Sequence, residues 1–420
     1  MNTVIIGGGA AGSFAAVFSA RKGDAVTVIE PNGKIGKKLV ITGKGRCNIT
    51  NSCDLEGLLK NIPKNPSFLY SAFSRFGPYD CMSFFEELGV SLKIERGGRV
   101  FPVSDRASDI VKILERELRK HRVKIAAERA VEIAVADGRA VGVKTDKGFY
   151  NADKVILATG GMSYQSTGST GDGYRLAQAA GHTVTELKPA LVPLETEKTY
   201  PIAAGLVLKN VSLTLFDEKK GGIVFSEQGE MTFESYGIGG PLTLTASALM
   251  ESGESRRYRA VIDFKPALPE ERLDKRILRE IDGESERSIQ NARKAGNNLK
   301  NDPKTVRDIA RTLLPPQLIR PVLEEAGIDP YKRAAELSKE ERRELCGVLK
   351  GFILYIKGFR PIDEAIITDG GVSVKEIDPK NMESKLVKGL FFAGEIIDTT
   401  GFTGGFNLQI AYSTARAAAE

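Results

Sequence analysis

Residues that build metal sites and disulfide frameworks are scarce in this chain of 420 residues. Its two histidines, His121 and His182, lie neither in an HxxxH spacing nor beside paired cysteines. Its four cysteines show no paired spacing, and the interval between Cys47 and Cys53 does not match a redox pair. The composition therefore disfavours a metal centre and is typical of a protein of the reducing cytoplasm.

Long apolar runs and blocks of one charge are also missing. No stretch reaches the length of a membrane span, and the apolar N-terminus lacks the basic region of a signal peptide. The 60 basic and 54 acidic side chains are mixed along the chain and leave a formal charge of +6. Nucleic-acid binding is therefore permitted but not indicated, and a small molecule is the expected partner.

The chain begins with the turn of a dinucleotide-binding fold. An apolar strand, Thr3 to Ile6, runs into a glycine-rich turn and a helix of small residues, and a second strand ends at Glu30. The turn consists of Gly7, Gly8, Gly9, Ala10, Ala11 and Gly12. In this motif the first glycine makes the tight turn, the second admits a diphosphate close to the backbone, and the third lets helix and sheet pack closely.

Glu30 follows this turn at the interval where an acid accepts both hydroxyls of an adenosine ribose. An acid there would repel a 2'-phosphate, which disfavours NADP. The motif alone fits either FAD that stays bound or NAD that comes and goes. An ordinary βαβ turn is the alternative without any ligand.

The strand and helix patterns divide the chain into three stretches. Residues 1–190 and 351–420 predict the two segments of one Rossmann-like α/β domain with a parallel sheet and an antiparallel meander. Residues 191–350 predict an insertion, with a small β-barrel at about 191–265 and a charged helical part at about 266–350. Within it, the polar stretch from Asn291 to Pro303 predicts a linker between helices.

Two local predictions concern the first segment. The spacing of apolar residues predicts a helix from Ala107 to Arg122, capped by Ser104 or Asp105. The strands after it are assigned to the meander, with a tight turn at Asp137-Gly138, and they comprise Val123–Ile125, Ala130–Ile133 and Ala140–Thr145.

A second constellation near the C-terminus favours FAD. A buried strand ends at Gly394 and Glu395, and the glycine-rich segment Gly401–Gly405 leads into an apolar helix. In large flavoproteins such an acid hydrogen-bonds ribityl hydroxyls. The N–H groups at the start of the next helix face the flavin O2 and N1 region, where the helix dipole stabilises the anionic reduced flavin.

Together these motifs resemble the HI0933-like, or BaiN-type, family of FAD-dependent oxidoreductases over nearly the whole chain. The most discriminating stretch is Gly45-Arg46-Cys47-Asn48. The other matching segments are Gly7–Gly12, the rest of Thr42–Asn51, Ala158–Gly161, Tyr236–Pro241 and Gly404–Gln409. Three positions depart from the family pattern: Gly239 replaces a frequent serine, Phe406 a tyrosine and Ile410 a tryptophan, which puts substrate contacts by those side chains in doubt.

The resemblance implies roles for individual residues. Gly45, Arg46, Cys47 and Asn48 would line the flavin, with Arg46 reaching the pyrophosphate; a surface ion pair is the alternative role for Arg46. Val131 would hold the adenine through its backbone. The remaining contacts would come from backbone close to the dinucleotide, at Ala158, Thr159, Gly160, Gly405, Phe406, Asn407 and Leu408. The resemblance also implies that the last helix continues a few residues beyond Glu420.

The activity implied by the resemblance is a cytoplasmic flavoenzyme that moves a hydride through flavin N5. NADH or NADPH would bind transiently and reduce it, and an enone-like small molecule would accept the hydride. The insertion is expected to close over the isoalloxazine. Two alternatives stay open: a flavoprotein that is associated with RNA or tRNA modification or has no redox role, and an NAD-dependent dehydrogenase. No catalytic residue is assigned, and the candidate proton donors are Cys47, Thr50, Tyr164, His182 and Tyr236.

Overall fold

A computed structural model describes residues 1–251, 256–282 and 304–420. The chain divides into two compact units, the first made of 1–192 and 361–420, the second of 193–360. The sequence placed the end of the insertion at 350. Residues 352–359 instead form a strand of the second unit, so the insertion continues to 360. The predicted linker Asn291–Pro303 lies outside the described residues.

The strands alternate with helices through the first unit and cluster in the second. In chain order the strands are β1 (Asn2–Ile6), β2 (Ala25–Ile29), β3 (Thr50–Asn51), β4 (Leu92–Glu95), β5 (Arg99–Pro102), β6 (Lys124–Ala126), β7 (Ala130–Ala136), β8 (Arg139–Thr145), β9 (Phe149–Asn151), β10 (Lys154–Leu157), β11 (Lys188–Ala190), β12 (Leu194–Thr196), β13 (Val207–Asp217), β14 (Gly222–Glu234), β15 (Gly237–Gly239), β16 (Tyr258–Asp263), β17 (Phe352–Phe359), β18 (Ile367–Asp369) and β19 (Leu390–Phe392).

The α-helices are, in the same order, α1 (Ala10–Arg21), α2 (Lys37–Gly45), α3 (Leu55–Lys60), α4 (Pro66–Arg75), α5 (Pro78–Glu87), α6 (Ala107–Lys120), α7 (Asp172–Ala179), α8 (Gly240–Ser247), α9 (Glu270–Asp282), α10 (Val306–Leu313), α11 (Pro316–Glu325), α12 (Lys339–Lys350) and α13 (Phe406–Ala419). Short 3-10 turns join several elements at Gln165–Thr167, Pro201–Ala203, Ala334–Glu336, Ile362–Glu364, Val374–Glu376 and Gly394–Ile396. No helix of the described residues is both long enough and apolar enough to cross a bilayer.

A five-stranded parallel sheet forms the centre of the first unit, in the order β19-β10-β1-β2-β6. Its inner strands β1 and β10 are largely apolar and almost fully buried, as expected when helices cover both faces of a parallel sheet. This arrangement confirms the predicted Rossmann-like α/β class. One strand assignment was wrong: β6, placed in the meander by the sequence, pairs parallel with β2, and the antiparallel meander is β7-β8-β9.

The tight turn predicted for this region is present, whereas the predicted cap of helix α6 is wrong. Asp137 and Gly138 both have positive φ, 50° and 71°, as the tight turn between β7 and β8 requires. The cap prediction for α6 was wrong, because Arg106 occupies the N-cap position and its side chain accepts no hydrogen bond. Asp105 is not free to cap the helix, since its carboxylate is bound by Arg46 and Lys93.

The second unit contains a closed antiparallel barrel, in the order β12-β15-β14-β13-β16-β17. Strand β13 runs without a break from Val207 to Asp217, and its register with β14 shifts between Leu208 and Val211. Strand β17 pairs with both β12 and β16 and so closes the barrel. Its buried side chains, Phe352, Leu354 and Ile356, alternate with exposed ones and point into the core of this unit.

The first and last helices, α1 and α13, pack against each other in parallel. The Phe14 and Tyr412 rings are 4.6 Å apart, and the Arg416 guanidinium lies 4.7 Å from the Phe18 ring. Contacts thus advance along both helices in the same direction, and Lys22 at the end of α1 reaches the Glu420 carbonyl. Both N-termini therefore lie at the same edge of the sheet.

Replacing Gly12 with alanine is expected to destabilise the apoprotein. A Cβ at Gly12 would overlap the carbonyl oxygen of Gly7, which is rigid backbone. Overpacking of this kind costs about 1–3 kcal/mol of unfolding free energy, to be measured by chemical denaturation. Gly9→Ala is the matched control, because a Cβ there meets no protein atom within 4 Å. Equal stabilities of the two variants would contradict the packing role of Gly12.

Candidate functional site

In the glycine turn after β1, Gly7 packs closely against the protein, whereas Gly9 faces open space. Gly7 has φ of +102°, and a Cβ there would lie 2.5 Å from the Ala158 oxygen. Gly9, at the N-cap of α1, faces open space. Ala10 and Ala11 form the first turn of α1, where backbone N–H groups have no intrahelical partner. This turn therefore offers free donors and a positive helix end to an anion.

Glu30 lies at the end of β2 with its carboxylate fixed by backbone and side-chain donors. One oxygen accepts the Gly8 N–H at 2.9 Å, and the other accepts the Asn32 N–H and side-chain amide, each at 2.9 Å. A carboxylate has about four acceptor positions. Glu30 is half-buried and keeps capacity to accept a further donor such as a ribose hydroxyl.

A cleft beside this turn brings together Gly7, Glu30 and Thr159. The Thr159 hydroxyl is buried and has no hydrogen-bond partner within the described part of the chain. The sequence prediction missed the other wall of the cleft, which includes Arg129, Ala130, Gly168, Thr170, Gly171 and Asp172. The available signal was the run Gly168-Ser169-Thr170-Gly171-Asp172-Gly173, a second small-residue turn just before a helix.

Val131 lies next to this cleft on the edge strand β7. The pairing of β7 with β8 shifts between Ala130 and Glu132, so Val131 is the extra residue of a β-bulge. Its carbonyl accepts a hydrogen bond from Arg175 at 3.3 Å. Ala130, rather than Val131, lines the cleft. The bulge places Val131 at the rim, where its predicted backbone contact stays untested.

The predicted flavin-lining stretch forms an irregular turn at the end of α2. Gly45 and Cys47 have positive φ, 82° and 60°. The Asn48 side-chain oxygen is buried, and no described residue bonds to it. Such an atom is costly to bury unless a partner meets it. The turn therefore presents a polar acceptor that a ligand donor would satisfy.

The side chain of Arg46 does not extend freely toward a pyrophosphate, as the sequence suggested. Its guanidinium is bound by Glu95 and by Asp105, the latter at 2.7 Å, and it lies 4.1 Å above the Phe101 ring. Two carboxylates and an aromatic face match a planar, delocalised cation well. The alternative role, an ion pair, is the one seen, and Arg46 anchors the turn to β4 and β5.

The same turn contacts the start of α13. A Cβ at Gly405, whose φ is +101°, would overlap the Thr50 carbonyl. The Thr50 hydroxyl donates to the Gln409 side chain at 2.6 Å, and the Asn51 amide donates to the Gly404 carbonyl at 3.1 Å. Residues 48–51 and the first turn of α13 therefore form one wall.

The side chains in the first turn of α13 are buried or hydrogen-bonded within the protein. Phe406 is buried and Leu408 half-buried. The Asn407 side chain closes the preceding loop, accepting the Gly401 N–H at 2.9 Å and donating to the Gly401 carbonyl at 2.7 Å. What this turn offers outward is its backbone N–H groups and the positive end of the helix.

Glu395 follows β19 and lies in a polar cluster that the sequence did not predict. Its carboxylate accepts from the Thr368 N–H at 2.8 Å and binds the Lys38 ammonium at 2.9 Å, and Lys38 also donates to Ser163 at 2.7 Å. Gly161 must lack a side chain here, because a Cβ would lie 2.7 Å from Glu395, and Gly160 lies just beyond it. Gly394 must also lack a side chain, because a Cβ there would lie 2.7 Å from the Ala11 Cβ.

These groups lie in strand order along one edge of the sheet. Glu30, Gly7, Gly160 and Glu395 follow the carboxyl ends of the parallel strands β2, β1, β10 and β19 respectively. Three strand spacings of about 4.8 Å place the ends of β2 and β19 roughly 14 Å apart. The N-termini of α1 and α13 lie at this same edge. The edge can therefore hold an extended dinucleotide with a sugar at each acid and its diphosphate at the helix ends.

Most of the candidate proton donors are engaged within the protein. Burial raises the pKa of the Cys47 thiol to about 12. His182 is buried between Glu376 at 3.2 Å and Ser384 at 2.8 Å, and burial lowers its pKa. Thr50 is bonded to Gln409, and the Tyr164 ring lies 5.9 Å from Lys38. Tyr236, in the second unit, lines a cavity of about 470 Å³.

Cys47 is expected to resist alkylation in the native protein. With a pKa of about 12 for this buried thiol, its thiolate fraction at pH 8 is on the order of one in ten thousand. Iodoacetamide followed by peptide mass spectrometry should label half-buried Cys53 first, with all four thiols reacting after denaturation. Labelling of Cys47 as fast as Cys53 would contradict its placement in the core.

Comparison with curated proteins finds relatives that match along their full length. The chain is 33% identical to the 3-dehydro-bile acid delta(4,6)-reductase of Clostridium scindens, covering 100% of both chains. It is 31% identical to the ribosomal RNA dihydrouridine synthase of Haemophilus influenzae, covering 99% of this chain and 97% of that one.

Solved structures resemble the fold. The 3-ketosteroid delta1-dehydrogenase of Sterolibacterium denitrificans superimposes with a TM-score of 0.51 at 13% identity, covering 100% of this chain and 98% of that one. The family model described as the HI0933-like protein Rossmann domain matches residues 1–420. The chain therefore belongs to the HI0933-like family, as its motifs predicted.

Proposed function

We propose that this protein is an FAD-dependent oxidoreductase whose cofactor lies along the carboxyl edge of the parallel sheet. The observation that carries the proposal is the parallel packing of α1 and α13, which brings two helix N-termini to the edge flanked by Glu30 and Glu395. FAD has an adenosine ribose, a diphosphate and a ribityl chain, and so uses both ends of this edge.

In this proposal, different residues of the sheet edge bind different parts of FAD. Glu30 accepts ribose hydroxyls, the first turn of α1 donates to the diphosphate, and Glu395 accepts from the ribityl chain while Lys38 balances its charge. The first turn of α13 directs its positive end at the ring, which favours negative charge there. When bound, FAD supplies hydride transfer through N5 of its isoalloxazine.

The reductant in this proposal is NADH or NADPH, bound transiently. The sequence contains one glycine fingerprint followed by an acid, at Gly7–Gly12 and Glu30, and no second one of that kind. A dedicated nicotinamide domain of the disulfide-reductase type is thus not encoded. Both nicotinamides enter the test, because Glu30 governs the adenosine of FAD and places no restriction on a transient donor.

For the acceptor we propose a carbon–carbon double bond conjugated to a carbonyl group. The name of the Clostridium relative describes reduction of such bonds in a 3-oxo bile acid. Dihydrouridine is uridine whose C5=C6 bond, conjugated to the C4 carbonyl, has been saturated. At a double bond conjugated directly to the carbonyl, a hydride adds to the β-carbon and a proton to the α-carbon, with the two electrons coming from the nicotinamide.

A uridine within RNA is the second candidate substrate. It is favoured by the Haemophilus relative, whose identity of 31% over nearly the whole chain is close to the 33% of the bile-acid reductase. The chemistry at the double bond is the same for both candidates. The two candidates differ in whether the protein binds a free enone or a polyanion that contains the reacting uracil.

The test is anaerobic mixing of the purified protein with each nicotinamide, followed by an acceptor. We expect a yellow protein that bleaches with NADH or NADPH and regains colour with a 3-oxo-4-ene steroid or with uridine-containing RNA. A colourless protein would exclude the cofactor, and failure to bleach with either nicotinamide would exclude the proposed reductant.

Glu30→Arg should lower the flavin content of the purified protein severalfold. The new cation cannot accept ribose hydroxyls, and it also loses the bond from the Gly8 N–H. The measurement is the ratio of flavin to protein absorbance, with circular dichroism as the check on folding. Glu56→Arg is the matched control, since Glu56 is exposed and paired only with Lys60 among the described residues. Unchanged colour in Glu30→Arg would contradict the ribose role.

A further inference from the structure

Two short segments carry more positive charge than the whole protein. Residues 34–46 contain five basic and no acidic side chains, and residues 93–106 contain four basic and two acidic ones. Their combined excess of seven exceeds the +6 of the complete chain, so all remaining residues together carry −1. The mixed charge seen along the sequence thus conceals a strong local asymmetry.

The fold joins these two segments into one surface, here called the basic face. Arg46 in the first segment binds Glu95 and Asp105 in the second, and its guanidinium lies over the Phe101 ring. A Cβ at Gly43 would lie 3.3 Å from the same ring. The basic face, residues 34–46 and 93–106, is therefore a contiguous part of the first unit.

Five cations of the basic face have no carboxylate partner in the described residues. They are exposed, and no ion pair among the described residues includes any of them: Lys34, Lys37, Lys44, Arg96 and Arg106. The two acids of the face are already shared among Arg46, Lys93 and Arg99. Unpaired like charges held close together raise the local potential, which attracts a polyanion.

The basic face adjoins the flavin end of the cofactor edge. Asn48 follows Arg46 by two residues, and the Thr50 backbone touches Gly405 at the start of α13. Thr50 also pairs with Val100 in the β3–β5 ladder, inside the second segment. An anionic strand bound to the face would therefore pass beside the place where the flavin ring is proposed to lie.

We propose that the basic face binds the phosphate backbone of RNA and so presents an RNA-borne uracil to the flavin. This inference rests on the second substrate of the proposed function and names the residues that would select it. Separated cations on two segments suit phosphates repeated along a strand, which a free enone lacks. The name of the Haemophilus relative makes RNA the polyanion to test.

The experiment measures binding of the flavin-loaded protein to a fluorescein-labelled single-stranded oligouridine by anisotropy, over a salt titration. The test variant is K34Q/R96Q/R106Q. We expect its affinity to fall at least about tenfold near 0.1 M salt and the slope of log K against log salt to become shallower by about 2, since each phosphate contact contributes about 0.7. The matched control is K124Q/K144Q/K380Q, which removes the same charge from exposed lysines of the first unit that form no ion pair with a described residue.

Equal losses and equal slopes for the two variants would overturn the proposal, as would wild-type binding that does not depend on salt. Vesicles of phosphatidylglycerol form a second arm, and binding to them as tight as to RNA would also overturn it. Flavin content and steroid-dependent reoxidation are measured on the same samples and should be unchanged. Failure of those two readouts in the wild type would count against the proposed oxidoreductase, whereas the salt dependence tests the basic face alone.

Discussion

The close parallel packing of α1 on α13 is the constraint on which the candidate site depends. Gly394, at the end of β19, lies between the helices, where a Cβ would be 2.7 Å from that of Ala11 and 3.7 Å from that of Ala411. Its N–H donates to Thr414 in the next turn of α13. Helices that approach this closely fix each other's height above the sheet. The first and last helices of the chain therefore present their N-termini as a pair.

Two positive helix ends at one edge repel each other unless negative charge lies between or beside them. Glu30 and Glu395 supply it at the flanks, but in different environments. Glu30 is held by neutral N–H donors, so its charge is retained in full toward the edge. Glu395 is partly neutralised by Lys38, so the flank near α13 is less negative. A diphosphate at the middle and a ring that gains electrons near α13 agree with this gradient.

Local spacing made the geometry of this edge predictable from the sequence, because the positions of Gly7, Gly12 and Glu30 depend on residues within one βαβ unit. The positions of Gly394 and Glu395 could be predicted because both residues come directly after a single buried strand. Contacts between distant segments could not be predicted. Strand β17 was assigned to the wrong domain because its partner strands precede the helices α9–α12 of the insertion in the sequence. The side chain of Arg46 was predicted to reach a pyrophosphate because its partners Glu95 and Asp105 are remote in sequence. The Lys38–Glu395 pair joins residues 357 positions apart.

The two substrates suggested by the relatives share one reacting bond, so the strand edge cannot be what distinguishes them. In the proposed function both need the same flavin orientation, and the residues proposed to set it, from Gly9 to Gly405, lie on the sheet edge and the two paired helices. Discrimination must then come from surfaces that contact the rest of the substrate. The segments that carry the excess charge lie outside the parallel sheet, in α2 and around β4 and β5, and they meet the edge at the turn from Arg46 to Asn48 and through the Lys38–Glu395 pair. Substrate choice can therefore change there while the edge stays constant, which is how one fold would serve a free enone in one protein and an RNA in another.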